Sequence, residues 1–184
     1  MLACVLALVG AIAASAGEPS DPAPTIPTTA PPAGPELTWR DVQPRIDEYR
    51  HRTWHWQRVM SKPLTAGSRA YRTDPSLRYR RWVRNLWRER AIRARRRALN
   101  PPYRSVWLCI HRYEASWHDA GSPYYGGLQM DISFQLHYGR RLYRVKGTAE
   151  NWTPLEQIWV AEKARRSGRG FSPWPHTARL CGAL

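Results

Sequence analysis

The sequence predicts a mainly α-helical protein, a basic helical hairpin followed by a smaller helical domain, on three observations. Ile46, Tyr49, Thr53, Trp56 and Met60 recur at steps of three and four, the spacing of one helix face. Tyr79, Trp82 and Leu86, with Val83, Trp87, Ala91, Ala94 and Ala98, form a second such stripe. Thr153-Pro154-Leu155-Glu156 is a capping box with proline at the first helical position, so a further helix starts there. Between the two stripes, Lys62-Pro63 and Gly67-Ser68 supply turn chemistry, and Asn100-Pro101-Pro102 ends the second helix. Residues 37–104 are therefore expected to fold as a helical hairpin.

Ahead of the hairpin the chain carries other signals. Leu2 to Ala13 is an apolar run, and Ala14-Ser15-Ala16 places small residues before Gly17 as a signal peptidase requires. Residues 1–16 thus read as a signal peptide, and the protein as secreted. No apolar run reaches the roughly 20 residues of a membrane-spanning helix. Residues 17–36, rich in Pro, Thr and Ala, read as an extended linker.

Charge narrows the partners. The 184 residues hold 29 Lys and Arg against 14 Asp and Glu, a formal charge of +15, and 19 of those basic residues lie in 37–104. An acidic mimic is excluded; polyanions are favoured. Export favours anionic cell-wall polymers as the partner of 37–104 over nucleic acid, and a monomer is expected. The six histidines include no His-Glu-x-x-His array, and Cys109 with His111 has no second pair at zinc spacing, so neither a metal nor a cofactor is expected.

Residues 105–184 carry the chemistry. Val106, Trp107, Ile110, Tyr113 and Glu114 fit a short helix that stops near 117–121. The run from Ser122 to Met130 then supplies Tyr124, Tyr125, the pair Gly126-Gly127, and Gln129. Paired glycines allow positive φ and close approach of a ligand. Tyrosines and an amide beside them, with Trp117, form a sugar-binding palette. Glu114 lies among Trp107, Tyr113, Trp117, Tyr124 and Tyr125; enclosed by those rings, its carboxyl would hold a proton near neutrality, as breaking a glycosidic bond demands. A glutamate at a helix end is also commonly solvated, and the residues alone leave both readings open.

Trp107, Glu114-Ala115-Ser116-Trp117, Tyr125-Gly126-Gly127-Leu128-Gln129, Glu156-Gln157-Ile158-Trp159-Val160-Ala161-Glu162, Trp174-Pro175 and Cys181-Gly182, in that order, resemble the transglycosylase-like domain of actinobacterial resuscitation-promoting factors. The resemblance covers residues 105–184. It implies a small lysozyme-like fold that cleaves the glycan strands of peptidoglycan, with Glu114 as the catalytic residue and Tyr125 to Gln129 lining the cleft. Where the family has a cysteine just before the glutamate, this chain has Tyr113. Cys109 and Cys181 are both displaced from the family positions, as one bridge moved along the same helix would be, so a Cys109–Cys181 disulfide is implied. Phe134 and Gln135 stand where the family favours Thr-Trp.

A second catalytic carboxylate has several candidates. Glu156 belongs to the capping box, Glu162 reads as solvated or paired with Arg165 or Arg166, and Asp119 as a turn cap. Asp131 alone follows the glycine motif closely enough to face a cleft. A mechanism with one carboxylate, ending in hydrolysis or in lytic transglycosylation, fits better. Gln157, Ile158, Trp159 and Ala161 are expected to pack the helix that supports the cleft, and Trp174 to be core or cleft wall. The reading from another class is a non-catalytic cationic protein that binds cell wall or nucleic acid and keeps the fold.

Overall fold

The structure, a computed structural model, describes residues 38–67, 73 and 76–184. The expected signal peptide and linker, 1–36, lie outside the described residues. The fold is mainly α. Helix α1 spans Trp39–Val59, and α2 spans Leu77–Leu99 with the Ser76 hydroxyl accepting from the Tyr79 amide at its start. Residues 37–184 form one compact unit, so the basic helices and the C-terminal helices share a body.

The two basic helices do not form a hairpin; they run in the same direction. Arg80 donates to Gln43 at 2.8 Å, Val42 and Ile46 pack with Val83 and Trp87, and Val59 and Met60 pack near Ala98. Every contact pairs early with early and late with late. The turn signal at Lys62-Pro63 does reverse the chain, but what reverses is an extended strap that returns along α1. There Trp54 Nε1 donates to the Thr65 carbonyl at 2.8 Å, and the Gln57 amide exchanges two hydrogen bonds with Thr65. The expected stripe of α1 is buried or half-buried throughout. On α2 the buried line is Val83, Trp87, Ala91 and Ala98, whereas Trp82, from the other line, is 58% exposed.

The C-terminal helices are α3 (Arg104–Glu114), α4 (Ile132–Tyr138), α5 (Arg140–Lys146), α6 (Pro154–Ala164) and α7 (Pro175–Leu180). A two-residue ladder, β1 (Tyr124–Tyr125) with β2 (Met130–Asp131), is antiparallel and pairs Tyr124 with Asp131. Trp107, Ile110, Leu128, Phe134, Trp152, Ile158 and Trp174 centre a single apolar core. Trp174 is core, and its Nε1 donates to the Leu128 carbonyl at 2.7 Å. Cys109 and Cys181 are bonded, joining α3 to the end of α7. Closing a loop of 72 residues contributes about 4 kcal/mol in the chain-entropy account.

The expected capping box starts α6: the Thr153 hydroxyl accepts from the Glu156 amide, and the Glu156 carboxylate accepts from the Thr153 amide at 2.8 Å. Lys146 donates to both Glu156 oxygens at 2.7 and 2.9 Å. Burial alone would raise the Glu156 pKa; the Lys146 bond and the Thr153 donors outweigh it and hold the carboxyl below the ordinary range. Asp131 is lowered as well, first by the Ser133 hydroxyl and then by the Phe134 amide. A carboxyl depressed in the folded state stabilises it fully above the unfolded value, about 4. That contribution is lost as pH falls through the lower folded value. Stability is therefore expected to be flat from pH 7 to about 5 and to drop below about 4. Thermal unfolding across pH 7 to 3 checks this, and Glu156→Gln should flatten part of the acid limb.

Helix α6 also joins the two parts of the body. Trp159, buried, donates from Nε1 to the Ala98 carbonyl at 2.9 Å and packs with Val59 and Met60. Arg141 of α5 donates to the Arg58 carbonyl at 3.3 Å.

Candidate active site

Glu114 is the last residue of α3. Ala115 turns extended at once (φ −163°, ψ 179°), so the helix ends before the expected 117–121 and leaves the carboxyl at its C-terminal lip. The side chain is half-buried, and its Oε1 accepts from the Thr177 hydroxyl of α7 at 2.7 Å. Thr177 does not stand out as a site residue in the sequence. The signal that finds it is the disulfide: Glu114 lies about a turn beyond Cys109, and Thr177 about a turn before Cys181. The two helices run antiparallel past that bridge, which brings the pair together.

The loop from Trp117 to Gln129 is organised from behind by Gln157, fully buried on α6. Its Oε1 accepts from the Gly127 amide at 2.8 Å. Its Nε2 faces the carbonyls of Trp117 (2.8 Å), Ala149 (2.9 Å) and Trp152 (3.2 Å). The paired glycines serve this packing. A Cβ on Gly126, where φ is +72°, would lie 2.5 Å from Gln157 Oε1; one on Gly127 would lie 2.6 Å from both His111 Nδ1 and a Trp117 ring carbon. The close approach anticipated for a ligand is thus made by the protein's own side chains. His111 stacks on Trp117 with ring centres 3.8 Å apart and reaches the Gly127 carbonyl through Nδ1 at 3.2 Å.

The other expected cleft residues divide. Tyr124 is exposed, while Tyr125 is half-buried and packs on the core. Gln129, at φ +48°, donates its amide to Asp119 Oδ2 at 2.7 Å and to the Gly126 carbonyl at 3.0 Å, closing the loop on itself. Asp131 is engaged as the N-cap of α4, accepting from the Phe134 amide and the Ser133 hydroxyl at 2.7 Å each. Thus Trp117, Gly126, Gly127 and Gln129 are joined through Gln157, His111 and Asp119, whereas Asp131, paired with Tyr124 in the ladder, has its carboxylate taken up by capping bonds.

The remaining carboxylates are occupied too. Glu162 is paired with Arg165, at 2.8 and 2.9 Å, and lies near Arg166, in line with the paired alternative of the sequence reading. It is not solvated: its exposure is 0%, and Trp107 Nε1 also donates to it at 3.2 Å. Glu150 accepts from Thr148 and Asn151 through Oε1, while its buried Oε2 has no partner among the described residues. No family model matches the chain, and neither the curated proteins nor the solved structures contain a match to it.

Proposed function

We propose that the protein is a secreted enzyme that cleaves the glycan strands of peptidoglycan, with Glu114 as the group that gives and retrieves the proton, as the resemblance to resuscitation-promoting factors implies. One observation carries the reading. Of the six carboxylates in residues 105–184, Glu114 stands at a helix end with one hydroxyl donor, Thr177; Asp131, Glu156 and Glu162 are taken up by capping or ion-pair bonds, Asp119 is tied across its own loop by Gln129, and the open oxygen of Glu150 is buried. A lone carboxyl with a free oxygen at a helix lip suits a mechanism with one carboxylate.

In that mechanism Glu114 protonates the oxygen between two sugars as the C–O bond breaks. The cationic sugar carbon is captured by the substrate itself, through the N-acetyl carbonyl or the 6-hydroxyl. The Glu114 carboxylate then takes the proton from the 6-hydroxyl as an anhydro ring closes, or from water as a reducing end forms. Tyr124, exposed on its loop, offers a ring face to a sugar, whereas Trp117 has one face stacked on His111.

The test is mass analysis of purified peptidoglycan digested with the full chain. Anhydro ends support transglycosylation and reducing ends support hydrolysis. Undigested sacculi, with the protein folded by circular dichroism, would overturn the enzymatic reading.

A further inference from the structure

Ten of the 29 basic residues line two neighbouring grooves. One, of about 660 Å³, runs between α1 and α2, with Lys62, Arg90, Arg93, Arg96 and Arg97 on its walls. The second, of about 500 Å³, lies where the end of α1 meets the C-terminal helices, and is lined by Lys62, Arg58, Arg140, Arg141, Arg144 and Lys163. No Asp or Glu stands among the described residues lining either groove. Lys62 lines both, so the two lie side by side across that residue. Burial first, and then the Arg97 and Arg166 guanidiniums, hold Lys62 below its ordinary lysine range, which marks a point where positive potential converges.

Little neutralises these cations. Arg93 stands 3.9 Å from Glu89, an exposed pair of small energetic weight. Arg90 lies over the Trp87 ring, and Arg141 and Lys163 donate to the carbonyls of Arg58 and Tyr138. The linings also select against bases. Among the described residues the first groove has no aromatic lining and the second has only Tyr138, which is buried and packed on Phe134. Single-stranded nucleic acid binds through exposed ring platforms, and a duplex is read by a protruding element inserted into its groove. These surfaces are concave and lack such rings. Guanidiniums in series suit phosphates, which they grip with two parallel hydrogen bonds.

We propose that the two grooves form one track for a linear polyphosphodiester without bases, running from the α1–α2 groove past Lys62 onto α5. The track draws on Arg140, Arg144 and Lys163 as well as on the basic helices, and it does not depend on the reading of Glu114.

The experiment measures binding of the full chain to fluorescent poly(glycerol phosphate) against salt. Engagement of about five phosphates gives roughly a hundredfold loss of affinity between 50 and 200 mM salt. Arg93→Gln with Arg97→Gln, and separately Arg140→Gln with Arg144→Gln, should each lower the log–log salt slope by about 1.4. A control of equal charge change, Arg81→Gln with Arg88→Gln outside both grooves, should leave most of the slope intact. A control loss equal to the others would reduce the binding to net charge and overturn the track. Loss confined to one groove pair would overturn its continuity. Tighter binding of an oligodeoxynucleotide of equal charge would overturn the choice of ligand.

Discussion

Peptidoglycan cleavage is expected to fall by about 10²- to 10⁴-fold when Glu114 is replaced by Gln, the range that removal of a positioned proton donor costs. Glutamine keeps the volume and can still accept from the Thr177 hydroxyl, so unfolding should be unchanged and binding to sacculi retained. Turbidity clearing of a peptidoglycan suspension measures the loss. Thr177 is a positioning residue in this account: it aims the carboxyl without touching sugar. Thr177→Val should lower kcat about tenfold with KM little changed, and Thr177→Ser should restore it, an outcome that a purely packing role would not produce. Undiminished clearing by the Glu114→Gln variant would remove Glu114 from the mechanism.

The largest stability effect is expected at Gln157. Replacement by Leu removes the amide that faces the Gly127 N–H and the carbonyls of Trp117, Ala149 and Trp152. A buried backbone group left without a partner costs about 1–3 kcal/mol; the Ala149 carbonyl keeps the Trp152 amide, so the Gly127 N–H and two carbonyls are orphaned and a total near ~4 kcal/mol is expected after partial relaxation. That approaches the entire stability of many domains. Gln157→Glu should do as much harm at nearly the same volume, because it sets a carboxylate oxygen against carbonyl oxygens. Urea unfolding followed by tryptophan fluorescence reads both. A loss under about 1 kcal/mol for the Leu variant would mean that the Trp117–Gln129 loop is held by other contacts.

What the sequence made legible was local or paired in a recognisable pattern. The stripe on α1 and the Thr153–Glu156 box depend on spacing along one element, and both appear as expected. The Cys109–Cys181 bond followed from a resemblance in cysteine placement. The direction of α2 did not show, because a helical stripe reads the same whether its helix runs with or against its neighbour. Turn residues at 62–63 announce a reversal without saying that residues 62–67 lie extended against α1. Gly126 and Gly127 were visible as places of close approach, but not what approaches. Gln157 lies 30 residues away in sequence, and only the fold brings it there. For Glu162 the sequence allowed a solvated or an Arg-paired carboxylate; the pair with Arg165 is present, and with the Trp107 indole it lets the charge sit inside.

Trp159 sets where this chain can be cut. Composition changes near Ser105, the obvious place to trim an expression clone, yet the indole rests on Ala98, Met60 and Val59, and Leu155 packs beside it. A fragment starting at 105 would bare that greasy saddle and orphan its N–H, inviting self-association through a face that the native chain keeps covered. The shortest autonomous fragment therefore begins near Thr38, and the arginine-rich helices travel with the glutamate wherever it is sent.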